Sequence, residues 1–274
     1  MRKFVQLKIG RYNNNNEILG VLQSNWPRMV DLYFGDLAFG DIVMALTTGL
    51  IASVILTSAY YLAASGVPNW KPRKLVHIAM GTTIGMTLVA YTNLSGPAFA
   101  AGIFLTVLMY AWAHKSELIG ELLMAGSREG ETRLNTFASG FMGLVSFGVV
   151  FLLFFSRPEI FVASILAVSW GDAAGEVFGR PYGGRFLKRK YRDKSFEGGL
   201  GVLLFTTLSV LTSLFIFSPD TVILAVLPQI LIVASCATIA EILSIGWTDN
   251  FFIPMITAVT MWWFLFPGII LFPM

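Results

Sequence analysis

Asp172 and Glu176 stand four residues apart at the end of a long apolar run, so on a helix they share one face. A carboxylate at membrane depth is costly and marks a functional candidate. Two on one face suit Mg²⁺, which takes one or two protein carboxylates and completes its shell with phosphate and water. Gly171, Gly175 and Gly179 are interleaved with them, and glycine lets a backbone or ligand approach closely. A basic, glycine-bearing stretch follows, with Arg180, Arg185, Lys188, Arg189, Lys190, Arg192 and Lys194. Cations and backbone N–H groups in such a loop are what a polyphosphate needs. Lys194-Ser195 then precedes the next apolar run, where a helix N-terminus adds partial positive charge. The alternative is a loop of snorkelling cations with glycines that pack helices. That alternative leaves the flanking Asp172, Glu176, Lys194 and Glu197 unexplained.

Two further groups belong to the same chemistry. Arg73-Lys74 precedes His77, and Lys74 and His77 are three apart on one helix face. His77 is either an acid/base or phosphate group, or a packing residue with a satisfied hydrogen bond. Glu241 lies inside an apolar stretch, and Asp249-Asn250 follows with Pro254 beyond. Asp249 is a further metal-ligand candidate or a helix-capping residue. Glu241 is the harder to dismiss, because an unpaired carboxylate in lipid is expensive. His114 and Glu117 open a longer polar connection and read as interfacial structure.

Apolar runs must position these residues. Of 274 residues 55% are hydrophobic and 13% charged, about half the charge of a soluble domain. Mean hydropathy is +0.71. A helix needs about 20 apolar residues to cross a bilayer. Eight runs qualify, at roughly 38–64, 74–92, 97–113, 134–156, 159–179, 198–218, 221–245 and 252–272. They are too long and too uniformly apolar for barrel strands. The fold class expected is all-α, a polytopic transmembrane bundle of about eight helices. Residues 1–37 are expected to form a polar, interfacial segment, with 18–36 either lying at the membrane surface as a helix or loop or forming a poorly ordered tail, and 38–274 to form one catalytic membrane domain. No signal peptide is expected in the first 36 residues. The single cysteine, Cys236, excludes an intramolecular disulfide and a multi-cysteine metal site.

Charge sets the orientation. Connections one, three and five carry Lys71, Arg73 and Lys74, then Lys115, Arg128 and Arg133, then the seven cations from Arg180 to Lys194. Connections two, four and six carry only Arg157. The positive-inside rule places the odd connections in the cytoplasm. The tail cations Arg2, Lys3, Lys8, Arg11 and Arg28 run against this if all eight segments cross. The chemistry-bearing residues fall on connections one, five and seven, so one cytoplasmic site can gather them.

These residues resemble the membrane polyprenol kinase family, which includes dolichol kinase, phytol kinase and the CTP-dependent diacylglycerol kinase. The resemblance rests on Arg73-Lys74-x-x-His77; on Gly171, Asp172, Gly175, Gly179 and Arg180; on Lys194, Ser195 and Gly198; and on Glu241 with Asp249, Asn250 and Pro254. It covers about residues 70–265. It implies transfer of a phosphoryl group from a nucleoside triphosphate, typically CTP, with ATP the other option, to the hydroxyl of an isoprenoid or glycerolipid. On that footing Mg²⁺ or another divalent cation is held among Asp172, Glu176, Asp249 and Glu241. Arg73, Lys74, Arg180, Lys188, Arg189, Lys190, Lys194 and the glycine-bearing segments hold the nucleotide, and Asp172, Glu197 and His77 are the candidate bases. The partners are a nucleotide, a lipid alcohol from the bilayer and membrane lipids, with no nucleic acid. CDP-lipid synthases are similar too. Their pattern continues to a histidine-bearing glycine segment and a later acidic end, whereas here Glu197-Gly198-Gly199 lacks histidine and no acid occurs from Gly198 to Pro219. A small transporter is the non-enzyme alternative, with Asp172, Glu176 and Glu241 as an ion path. The paired broken helices or repeats of such proteins are not seen.

Overall fold

A computed structural model describes residues 33–113, 132–182, 187–189, 192–245 and 248–267. Among them stand eight helices: α1 (Phe39–Ala64), α2 (Trp70–Leu88), α3 (Ser95–Ala113), α4 (Arg133–Phe154), α5, α6 (Phe196–Phe217), α7 (Ile223–Leu243) and α8 (Asp249–Leu265). Helix α5 is composite, with Pro158–Leu166 and Asp172–Tyr182 joined by a π turn at Ala167–Gly171. Between α5 and α6 lies a hairpin of two three-residue strands, β1 (Leu187–Arg189) and β2 (Arg192–Lys194), antiparallel with Leu187 opposite Lys194. The molecule is an all-α membrane bundle with this one small hairpin.

All eight expected runs are helices, and their bounds differ by a few residues. Helix α2 begins at Trp70, not near 74, so Arg73 and Lys74 lie inside its first turns. Helix α8 begins at Asp249, not near 252. Apolar counting starts a helix where the charges stop, but charged residues that find partners continue it. Pro72 is tolerated because a helix's first-turn N–H groups have no intrahelical acceptor. Five helices are by themselves long and apolar enough to cross a bilayer: α1, α5, α6, α7 and the 134–154 part of α4. Helices α2, α3 and α8 complete the bundle.

Helix α5 is the centre. Inside its membrane-length window 78% of residues are buried, against 11% in α1, so α5 is protein-facing and α1 lipid-facing. Helices α2, α4, α6 and α8 pack around α5, α7 bridges α6 and α8, and α1 joins α2 to α3. The core runs through Ile160, Phe161, Ile165 and Leu166 of α5 and Val150, Phe154, Val210, Leu214, Ile230 and Met261 of its neighbours. Some buried hydroxyls return to their own helix, as Ser164 Oγ does to Ile160 O at 2.6 Å and Ser169 Oγ to Ile165 O at 2.8 Å, while Ser213 Oγ of α6 donates across to Glu159 O of α5 at 2.7 Å. Hydrocarbon itself offers no acceptor.

Small residues set the α5–α6 crossing. A Cβ on Gly198 would lie 2.7 Å from the Gly175 carbonyl oxygen, and one on Gly201 would lie 2.9 Å from that of Ala174. A Cβ on Gly171 would lie 2.8 Å from Thr206 Oγ1. Close backbone approach through glycine is a recurrent membrane packing device. Helix α6 opens on Ser195, whose Oγ accepts from Gly198 N at 3.1 Å.

The two ends of the bundle differ. At one end Asp41 accepts from Thr92 N at 3.1 Å and Thr92 Oγ1 at 2.6 Å, and the backbone of Tyr33, Gly35 and Asp36 accepts from residues 93–95. The expected interfacial segment lies outside the described residues as far as 32. The other end gathers connections one, five and seven. His114, Lys115, Glu117 and Arg128 of connection three lie outside the described residues.

Two outcomes follow. Gly198→Ala should lower stability by about 1–3 kcal/mol through overpacking, whereas Gly102→Ala, with open space at its Cβ, should change it by less than about 0.5 kcal/mol. Thermal unfolding in nanodiscs reads both. In a Cys236→Ala background, Ser65→Cys and Ile245→Cys should be labelled from one face of the membrane and Asp220→Cys from the other. Labelling of Ser65→Cys and Ile245→Cys from opposite faces would break the common end.

Candidate active site

The charged residues of α2 meet those of α5 at the end of the bundle that holds connections one, five and seven. Lys74 Nζ lies 2.5 Å from Asp172 Oδ2, 3.1 Å from Glu176 Oε2 and 3.3 Å from Asp172 O. An ammonium has three N–H donors. Lys74 donates to Asp172 O and Oδ2 and stands in ion-pair contact with Glu176, and its side chain is 5% exposed. Glu176 also pairs with Arg73, and it accepts from Arg180 Nε at 2.7 Å one turn on. Arg180 lies over the Trp70 ring, 5.7 Å from its centroid.

His77 is the next residue inward on the Lys74 face. Its Nε2 is 3.1 Å from Val168 O and 3.4 Å from Asp172 Oδ2. Two oxygen acceptors at one ring nitrogen assign the hydrogen to Nε2, so Nδ1 keeps the lone pair of the neutral ring. Val168 belongs to the π turn, where the ordinary helical ladder is interrupted. The Lys74 side-chain contact and the His77 contact both fall on Oδ2 of Asp172.

A second ion pair closes the site. Lys194, at the end of β2, pairs with Glu241 Oε1 near the end of α7. Asp172 lies within electrostatic reach of Lys194, and Glu241 within that of Asp172 and Asp249. Asp249 begins α8 and is buried. Its Oδ1 accepts from Asn250 N at 2.9 Å, while Asn250 Nδ2 donates to Ser139 Oγ at 2.7 Å on α4. The helix cap is Thr248, and Asp249 is the first residue of the helix, within electrostatic reach of Glu241 and Lys74.

The structure thus brings together Arg73, Lys74, His77, Asp172, Glu176, Arg180, Lys194, Glu241 and Asp249. Other expected site residues stand differently. Gly171, Gly175, Gly179 and Gly198 face the α5–α6 crossing and are filled by protein there. Ser195 spends its hydroxyl on capping α6, and Glu197 stands in that helix's first turn. Only the backbone of Lys188 and Arg189 is described, in β1, and Arg185 and Lys190 lie outside the described residues. Sequence reasoning missed Val168 and Trp70. Trp70 beside Lys71 had the signal of an aromatic next to cations, and Val168 had none, because a backbone carbonyl carries no side-chain signature.

Oxygen donors of this kind fit a hard divalent cation. Among the described residues, no three His, Cys, Asp or Glu side chains already stand as a metal-binding group. Arg73, Lys74, Arg180 and Lys194 are matched by Asp172, Glu176, Glu241 and Asp249, so the cluster is close to neutral. A triphosphate adds several negative charges and calls for added positive charge. A divalent cation on one or two of these carboxylates meets that need, as does the basic loop.

Lys74→Met should destabilise the protein by about 3–5 kcal/mol, because it strands Asp172 and Glu176 without their shared cation. Lys71→Met, on the same turn but outside the cluster, should change stability by less than about 0.5 kcal/mol. Chemical unfolding in detergent measures both.

No model of a known protein family matches the chain. No solved structure matches it either. Two characterised relatives do. The chain is 26% identical over 212 residues to the CTP-dependent diacylglycerol kinase 1 of Eremothecium gossypii, a match covering 69% of this chain and 65% of that relative, just under two thirds of its length. It is 26% identical over 250 residues to the phytol kinase of Synechocystis sp., covering 89% of this chain and 97% of the relative. Similarity to both, over most of the chain, bears out its resemblance to the membrane polyprenol kinase family.

Proposed function

We propose that the protein is an integral-membrane lipid kinase that transfers the terminal phosphoryl group of CTP to the hydroxyl of an isoprenoid or glycerolipid alcohol. The observation that carries this reading is the convergence of Lys74, His77, Asp172, Lys194 and Asp249 from α2, α5, β2 and α8 on one end of a membrane bundle. The names of both relatives support a lipid alcohol as acceptor, and the name of the first supports CTP as donor. The positive-inside pattern supports a cytoplasmic site, where the nucleotide is found.

Each group has a role that its position supports. Lys194 holds the phosphates with its outward N–H donors, aided by the basic hairpin it terminates. Lys74, buried between Asp172 and Glu176, orients these two carboxylates rather than touching the nucleotide. Asp172, with Asp249 or Glu176, would hold a divalent cation, which neutralises charge on the transferring phosphoryl group when bound. The lipid hydroxyl arrives from the bilayer between helices. Its oxygen forms a bond to the terminal phosphorus as the bond to the bridging oxygen breaks, and a nucleoside diphosphate leaves. The hydroxyl proton passes to the His77–Asp172 pair, with Nδ1 of His77 as the accepting atom. Catalysis of this kind is mainly positioning and charge neutralisation.

The test is direct. Purified protein with γ-labelled CTP and a panel of lipid alcohols should move label to an alcohol and release CDP. Pyrophosphate release from CTP and phosphatidic acid, with no labelled alcohol, would instead make it a CDP-lipid synthase. Asp172→Asn keeps shape and removes charge, so turnover should fall by roughly a hundredfold or more while the protein still folds. Near-normal turnover in a well-folded Asp172→Asn protein would show the carboxylate to be structural.

A further inference from the structure

The two lysines of the site are not equivalent. Lys74 is buried, donates to two Asp172 oxygens and pairs with Glu176, whereas Lys194 gives one N–H to Glu241 and its side chain is 29% exposed. Two of its donors are therefore available to a ligand. Glu241 is the more enclosed partner, with its side chain 6% exposed. It lies near the end of α7 beside the α5–α6 crossing, where a Cβ on Gly175 would sit 3.7 Å from Oε1. Asp172 and Asp249 act on it as like charges. A buried carboxylate so placed needs a cation; Lys194 is the one it pairs with, while Lys74 is engaged by Asp172 and Glu176.

Lys194 is thus bound to stay with Glu241 when a nucleotide arrives. Moving fully onto a phosphate would strand a buried carboxylate beside two others. A lysine stem has many rotamers and its ammonium is a point charge, so its aim is set by whatever holds it. Here that group is Glu241, reaching across from α7 to the end of a short hairpin.

We propose that Glu241 is a positioning residue that aims the Lys194 ammonium at the nucleotide phosphates, and that it is not a metal ligand. This rests on the lipid-kinase reading of the site. The carboxylate touches neither nucleotide nor metal. It acts through one hydrogen-bonded charge pair, and removing it leaves Lys194 present but unaimed.

The experiment is a double-mutant cycle on the full chain in nanodiscs, read by calorimetric binding of CTP with Mg²⁺ and by Mn²⁺ binding followed by electron paramagnetic resonance. Lys194→Ala should weaken CTP binding by about tenfold or more, as expected for a lost charge-assisted hydrogen bond. Glu241→Ala should weaken it comparably, and the double variant should be no worse than Lys194→Ala alone. Glu241→Gln keeps shape and a hydrogen-bond acceptor, so it should recover part of the loss and guard against a folding defect. Mn²⁺ affinity of Glu241→Gln should stay within about twofold of the unaltered protein, as for a group outside the metal's ligand set. Additive losses in the cycle would overturn the proposal. So would a Glu241→Gln protein with intact CTP affinity and a large loss of Mn²⁺ binding. If the unaltered protein binds neither CTP nor ATP, the kinase reading itself falls, and the positioning role with it. If it binds CTP and Lys194→Ala matters while both Glu241 variants do not, only the positioning role is lost.

Discussion

One buried ammonium holds the active end together. Lys74 satisfies two carboxylates and a backbone carbonyl on α5, and it does so from a neighbouring helix. Without it the end of α5 would carry two acidic groups in a low-dielectric setting, which is tolerable only with charge compensation. With it the same two groups become fixed. The neighbouring contacts follow from that fixation. Arg73 and Arg180 find Glu176 already oriented, and His77 finds Asp172 Oδ2 already in place. The α2–α5 contact is therefore electrostatic at the active end and steric further in, where Gly81 lies against Ser169 and Gly85 against Ile165.

The opposite face of α5 is held by a different force. There glycine and other small residues bring the α6 backbone close, and dispersion over many short contacts does the work of adhesion. A central helix gripped by charge on one side and by shape on the other has little freedom to rotate. That rigidity suits a site whose chemistry depends on where charges stand. The lysine at the end of the hairpin is the only described cation of the cluster carried by a strand, and a carboxylate of α7 holds it.

Much of this was legible in the sequence. Eight apolar runs gave eight helices, because in a bilayer an uninterrupted apolar stretch has few alternatives to a helix. Asp172, Glu176 and Glu241 stood out because hydrocarbon makes an isolated charge expensive, and the odd-numbered connections placed their partners at one end. Other features were hidden for physical reasons. The start of α2 was set four residues late, since hydropathy cannot anticipate that Arg73 and Lys74 will find carboxylates a hundred residues away. Gly171, Gly175 and Gly179 allow close approach of a backbone or a ligand, and in the structure α6 lies against them; spacing alone does not say which neighbour approaches a glycine. Lys74 stands between Arg73 and His77 in the sequence, which does not show that Asp172 and Glu176 engage its ammonium.

The π turn at Ala167–Gly171 lies just before Asp172. Such a turn amounts to one extra residue in the helical ladder. Each residue advances an α-helix by about 100°, so the turn resets the angular phase of everything after it. Upstream of the turn, Ile160, Phe161 and Ile165 belong to the apolar core; downstream, Asp172 and Glu176 face α2 while Gly171, Gly175 and Gly179 face α6. The apolar half and the catalytic half of α5 are thereby cut in different registers along one axis. A chain one residue shorter in this turn would keep Asp172 and Glu176 and lose their alignment, with the acidic stripe swung off α2 by more than a quarter of a circle.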